Sequence, residues 1–184
     1  VIAETLFGEN NPGGKLSITF PKTVGQIEYN FPFKPGSNAG QGGANSWGKT
    51  SVNGALYPFG YGLSYTSFAY SNLQVSPEKE HQQSDITVTV DVTNTGQRKG
   101  DDVVQLYLKQ EFSDVTTYEY DLRGFERVPL TPGETKTVHF VLHPDDLAIL
   151  DKNMNWTVEP GKFMVMIGSS SEDIKLKKEF EVER

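Results

Sequence analysis

Beyond residue 67 the apolar side chains recur at every second position, which is the pattern of strands that bury one face and solvate the other. Ile86, Val88, Val90 and Val92 alternate with Thr87, Thr89 and Asp91, and Asn94-Thr95-Gly96 then supplies turn chemistry. Val104, Leu106 and Leu108 share one face, with Val103, Gln105 and Tyr107 opposite. Val138, Phe140 and Leu142 follow the turn Thr131-Pro132-Gly133-Glu134, and Phe163, Val165 and Ile167 follow Glu159-Pro160-Gly161-Lys162. Ile174, Leu176, Phe180 and Val182 hold one phase against Lys175, Lys177, Glu179 and Glu181. With 68–75 and 122–130 added, the pattern predicts about seven strands. A phase break between Tyr70 and Leu73 predicts a bulge in the first of them.

About seven strands is the number of a fibronectin type III/immunoglobulin-like antiparallel β-sandwich, so the chain reads as mainly β over 67–184. What precedes the sandwich has a different character. Residues 1–7 have helical spacing, with Ile2 and Leu6 on one side and Gly8 placed to end the helix in a left-handed turn. Lys15 to Phe20 alternates, putting Leu16, Ile18 and Phe20 on one face of a strand. One helix and one strand cannot cover each other, so 1–20 is expected to close an α/β sandwich domain whose other layers lie upstream. Val1 is not an initiator Met, and no signal peptide follows it, which fits the interior of a longer chain.

From 21 to 66 the periodicity vanishes, and Gly, Pro, Asn and Ser are mixed with eight rings from Tyr29 to Tyr65. Ordering such a stretch costs on the order of 45 to 90 kcal/mol in backbone entropy. Burying its rings returns roughly 12 to 24 kcal/mol. The segment is therefore expected to be a connector draped over a larger surface.

The net charge of −7 and the absence of any uninterrupted basic stripe exclude a nucleic-acid partner, since Lys175, Lys177 and Lys178 are interleaved with acids. Without cysteine there is no disulfide framework and no thiolate metal site. No apolar run reaches the length of a membrane span.

Several local patterns imitate chemistry. Gly43-Ala44-Asn45-Ser46-Trp47-Gly48-Lys49-Thr50 matches GxxxxGK[ST], but neither a buried strand before it nor a helix after it is predicted, and a phosphate loop needs both. Asp151, Asn153 and Asn155 resemble the first ligands of a calcium-binding hand, yet Trp156 and Lys162 occupy the places of its Gly and its final acid. Asn155-Trp156-Thr157 fits the glycosylation sequon, which carries weight only in a eukaryotic secretory context. His139 and His143 would align on a helix, but His139 sits in a strand pattern and His143 precedes Pro144. The adjacent acids Asp101-Asp102, Asp145-Asp146 and Glu172-Asp173 fall at strand ends or turns, where neighbours diverge and are expected to be solvated. Rings of the connector could stack on sugars, but most adjoin Gly or Pro in Tyr57-Pro58-Phe59-Gly60-Tyr61-Gly62, where ring-on-backbone packing is the commoner use. No catalytic residue, cofactor site or metal site is assigned.

The series NPGGKLSITFP at 11–21, YPFGYGLSYTSF at 57–68, VTNTGQRKGDDVVQLYL at 92–108, LRGFERVPLTPGETKTVHFVL at 122–142 and VEPGKFMVMIGSSS at 158–171 closely resembles the C-terminal region of family 3 glycoside hydrolases. These are β-glucosidases, β-xylosidases and relatives. The resemblance implies a (β/α)8-like barrel and most of an α/β sandwich upstream, supplying an Asp nucleophile and a Glu acid/base that no residue here matches. It implies a non-catalytic, structural role for this chain in a retaining exo-β-glycosidase that meets its oligosaccharide or glycoside substrate through those upstream catalytic domains. A periplasmic or secreted location follows from the family alone. A carbohydrate-binding or interaction module without hydrolase activity is the alternative. The stretch 110–121 is long for a fibronectin module, and Tyr118 and Tyr120 within it are expected to lie on a loop that shapes the substrate entrance.

Overall fold

A computed structural model describes residues 2–26, 29–37, 54–82 and 84–183. The chain opens on α1 (Ile2–Leu6), followed by β1 (Phe20–Pro21) and β2 (Ala55–Tyr57). Next come β3 (Phe68–Ser76), β4 (Lys79–His81), β5 (Ile86–Asn94), β6 (Gly100–Gln110), β7 (Asp121–Leu130) and β8 (Thr135–Leu142). After α2 (Pro144–Leu147) lie β9 (Ile149–Leu150), β10 (Trp156–Thr157), β11 (Gly161–Ser170) and β12 (Asp173–Glu183).

The alternating segments become the seven long strands β3, β5, β6, β7, β8, β11 and β12 of two facing sheets. One sheet has the order β3-β5-β8 and the other β4-β12-β11-β6-β7. All pairings are antiparallel except β12 with β4. Val88, Val90 and Val92 of one sheet and Val104, Leu106, Val165 and Ile167 of the other form the sealed core between them. The phase break in β3 is a bulge. The register passes from Ser71 opposite Asp91 to Gln74 opposite Thr89, with Asn72 at φ 54°. The extra residue restores Leu73 and Val75 to the inward face.

Asn94 does more than initiate a turn. Fully buried, it donates from Nδ2 to the Arg98 and Leu130 carbonyls at 2.8 and 3.1 Å. Its Oδ1 accepts from the Thr66 hydroxyl at 2.7 Å and the Gly96 amide at 3.0 Å. Every hydrogen-bonding site of its amide is thus in use, tying the end of the connector to the sandwich.

At the N-terminus, α1 ends as predicted: Gly8 has φ +80°, its amide bonds the Thr5 carbonyl at 3.1 Å, and that of Glu9 bonds the Glu4 carbonyl at 2.8 Å. The strand expected over 15–20 is shorter. Only Phe20–Pro21 pairs, with Ala55–Tyr57, while Leu16 exchanges backbone bonds with Gly60 and Tyr61. Extended backbone becomes a strand only where a ladder partner exists. Ile18 remains 59% exposed and Leu6 73% exposed.

Phe31, Phe59 and Gly60 of the connector lie on the outer face of the five-stranded sheet. An antiparallel sheet ordinarily leaves such a face wet, yet Gln105, Tyr107 and Met166 are all buried there. Phe31 stacks on Phe59 at 4.9 Å and meets Tyr107 edge-on at 5.5 Å. Gln105 Nε2 donates to the Gly60 and Ser169 carbonyls at 3.1 and 2.8 Å, and its Oε1 accepts from Tyr107 Oη at 2.5 Å. Gly60 makes this approach possible, because at φ +80° a Cβ there would lie 2.0 Å from Gln105 Oε1. Gly60→Ala should cost roughly 2–4 kcal/mol through backbone strain and loss of this docking. Thermal denaturation should show the fall, and an unchanged midpoint would refute the account.

Candidate functional site

The loop 111–120 leaves β6 at one end of the sandwich, and its two tyrosines meet different surroundings. Tyr120 turns inward. Its ring contacts Phe31 at 5.4 Å, Phe33 at 6.1 Å and Tyr107 at 5.9 Å, and its hydroxyl donates to the Ser171 carbonyl at 2.9 Å. Burial, reinforced by the Glu172 charge, raises its phenol above the ordinary range. The Glu119 amide bonds the Phe33 carbonyl at 2.9 Å, and the Glu119 carboxylate pairs with Lys109 at 3.0 Å. So anchored, the loop holds Tyr118 outward with the Lys34 ammonium 5.9 Å from its ring centre.

Between this loop and the stretch 145–156 opens a cleft of about 640 Å³. Tyr118 and Trp156 line it, as do Lys34, Asp121, Arg123, Asp145 and Asp146. Burial holds the Asp121 carboxyl above its usual range even though Arg123 pairs with it at 2.9 Å. Trp156 stands on the two-residue ladder of β9 and β10. Asp151 fixes the intervening turn, its Oδ1 accepting from the amides of Asn153 and Asn155 at 2.8 and 2.9 Å. Those bonds keep its carboxyl below the usual range, so the resemblance of this turn to a cation loop reflects a carboxylate employed by its own backbone. Trp156, Arg123 and Lys34 escaped the sequence reading because they come from three separate segments.

At the opposite end of β6 lies a polar seam, and it corrects the expectation that the paired acids are solvated. Asp101 does face outward, bonded to Arg127 at 2.8 Å. Asp102 is only 2% exposed. It receives the Tyr70 hydroxyl and its neighbour's Val103 amide at 2.9 Å, and it pairs with Lys15 at 3.4 Å. As alternation requires, the two carboxylates point to different faces; the inner one lies where the N-terminal segment closes the sandwich. A buried charge of this kind is tolerated because it is paired and hydrogen-bonded. Asn11 and Arg98 complete the seam, with Asn11 Nδ2 donating to the Lys99 carbonyl at 3.0 Å and Arg98 Nη1 to the Gly8 carbonyl at 2.8 Å.

The remaining candidates are scattered. His143 precedes α2, its Nδ1 2.8 Å from Asp85, which raises its pKa, while His139 lies exposed in β8 opposite Thr89. Asp146 accepts the His143 amide at 2.8 Å, and Asp173 pairs with Lys175 at 2.7 Å. The phosphate-loop-like residues 43–50 lie outside the described residues. Among the described residues no three His, Asp or Glu side chains converge as a metal site, and no helix is long and apolar enough to cross a membrane.

Comparison with known proteins accords with this architecture. Residues 1–65 match the glycosyl hydrolase family 3 C-terminal domain and residues 102–171 the fibronectin type III-like domain. A β-xylosidase of Formosa agariphila is 42% identical over 179 residues, covering 96% of this chain and 24% of that protein. A periplasmic β-glucosidase of Salmonella typhimurium is 41% identical over 178 residues, covering 95% and 23%. The chain thus spans about a quarter of the length of these relatives. Among solved structures, a β-glucosidase from Erythrobacter marinus superposes with a TM-score of 0.88 at 37% identity, over 99% of this chain and 23% of that one. A β-glucosidase from Listeria innocua in complex with glucose does so at 0.85 and 33% identity, over 100% and 26%.

Tyr70 in the polar seam and Tyr107 beneath the connector give the chain a defined alkaline limit. Burial raises the phenols of Tyr70 and Tyr107, and the Asp102 charge adds to the effect at Tyr70. An unfolded tyrosine ionises near pH 10, so the stability from these two groups is complete below about pH 10 and declines as pH rises further. Absorbance at 295 nm should show both phenols ionising only as the fold is lost. Reversible ionisation of all 8 tyrosines with the circular dichroism spectrum intact would contradict this.

Proposed function

The chain belongs to glycoside hydrolase family 3, of whose architecture it carries the C-terminal region, and from that premise we propose that it is the non-catalytic, structural part of a retaining exo-β-glycosidase acting on terminal β-linked sugars. The observation that carries this reading is the uncovered apolar surface of the N-terminal segment. Ile2, Leu6, Phe7 and Ile18 are all exposed, while the sandwich beside them is sealed on its inner face and, under the connector, on its outer face. That surface is the one against which the remaining layers of an α/β sandwich domain would pack.

In this division of labour residues 1–20 close the α/β sandwich, 21–66 connect, and 67–184 form the fibronectin-like domain that braces both. The nucleophilic Asp and the acid/base Glu reside in the upstream catalytic domains, and so does the subsite for the sugar that is cleaved. The carboxylates described here serve structure: Asp102 closes the seam, Asp101 holds Arg127, and Asp151 holds a turn. The parent protein works in the periplasm or outside the cell. Loop 111–120 faces incoming substrate, with Tyr118 presented to it and Tyr120 holding the loop in place through Phe31, Phe33 and the Ser171 carbonyl.

Two measurements test the proposal. This chain alone should not hydrolyse p-nitrophenyl β-glucoside or β-xyloside, whereas grafted in place of the matching region of the Salmonella enzyme it should support turnover. Hydrolysis by the isolated chain, or a folded and monodisperse chimaera without turnover, would overturn it. Within an active chimaera, Tyr118→Ala should lower kcat/KM about 2- to 10-fold for longer substrates and leave p-nitrophenyl glucoside unchanged. An equal effect on all lengths would remove Tyr118 from the entrance.

A further inference from the structure

We propose that the cleft between loop 111–120 and the β9–β10 hairpin is a saccharide-binding subsite of this chain, with Trp156 as its stacking platform. The inference rests on the glycosidase reading above but concerns binding by residues present here.

Three observations carry it. The first is the platform. Trp156 is 74% exposed, an unusual position for so large an apolar side chain, and it is held there by a paired strand and a turn fixed through Asp151. A pre-positioned ring loses little freedom when a flat apolar ligand face settles on it. Tyr118 contributes a second ring at the same cleft, with its loop anchored through Tyr120.

The second is the polar complement. Lys34 and Arg123 bring two positive charges to the cleft, and Asp121, Asp145 and Asp146 bring three negative ones. This near-balanced mixture of donors and acceptors disfavours phosphorylated or polyanionic ligands, which need a surplus of cations, and polybasic ones, which need a larger surplus of acids. Closely spaced carboxylates and a guanidinium suit a neutral ligand whose hydroxyls both donate and accept. Gln110, also in the cleft wall, donates from Nε2 to the Glu159 carboxylate at 3.0 Å, which fixes that wall. A ligand with apolar ring faces and a rim of neutral hydroxyls is a saccharide.

The third is location. The cleft adjoins Gln110 and Asp121, whereas the N-terminal segment meets the sandwich at Lys99 and Asp102. Eight residue steps along β6 separate Asp102 from Gln110, roughly 27 Å. Layers packed against the exposed face of α1 therefore leave the cleft open.

Isothermal titration of the full chain with cellotetraose, xylotetraose and laminaritetraose should give saturable heat with at least one. Trp156→Ala should weaken that binding about tenfold, the loss that roughly 1.4 kcal/mol of stacking carries. Trp156→Phe should retain part of it. Phe112→Ala, an exposed ring outside the cleft, should leave it unchanged, and circular dichroism should show each variant folded. No heat with any of the three sugars at millimolar concentration, or binding that survives Trp156→Ala, overturns the subsite. A chain that supports turnover in the chimaera yet binds none of them sinks this inference alone; a chain that binds while a folded chimaera stays inactive sinks only the functional reading.

Discussion

The sealing of both faces of β6 is the constraint on which the rest of this structure depends. From Val104 to Leu108 every residue is buried, whereas a strand of an ordinary antiparallel sheet shows water one of its faces. Val104, Leu106 and Leu108 enter the core shared with the three-stranded sheet. Gln105 and Tyr107 point away from it and would be stranded polar groups on a dry surface were the connector not fitted to them. The Gly60 carbonyl satisfies the glutamine amide, and Phe31 and Phe59 cover the tyrosine ring. Connector and sheet are therefore mutually dependent. The connector lacks the periodicity to order itself, and Gln105 and Tyr107 on the outer face of β6 are buried only beneath it.

That dependence runs the length of the strand. Asn11 and Lys15 engage its first residues, Gly60 its middle and Phe31 the stretch beyond, and Lys34 reaches the loop that follows its end. The described residues of the connector form a strap in which Gly60, Phe31 and Phe59 are fitted to one particular surface.

The sandwich was legible because alternation is a local property: the strands, the turns between them and even the bulge at Asn72 follow from the phase of apolar residues. The strap was not, since its partners are far away in sequence and no period marks which ring meets which. Asp102 was misjudged for a related reason. Adjacent acids diverge across a strand, as expected, but which of the two faces is dry depends on Tyr70 and Lys15, more than thirty and eighty residues away. Tyr118 and Tyr120 looked equivalent as aromatics in one loop. Only the position of Phe31 and Phe33 separates the ring that anchors from the ring that is presented.

The same geometry keeps the docking of the N-terminal segment apart from the open cleft. Docking contacts gather where β6 begins, at Asp102, Arg98 and Lys99, and the open cleft lies where it ends, at Gln110. The two regions share a rigid strand but no side chain, so substitutions at Trp156 or Tyr118 leave the buried pairing of Lys15 with Asp102 untouched, and energetic independence is the natural expectation for sites so separated. What couples them is the strap, whose described residues touch β6 at Gln105 and Tyr107 and the loop at Tyr120. A change that lifts the strap from Gln105 would release Tyr120 and with it the loop that shapes the cleft, even though no residue of the cleft had been altered.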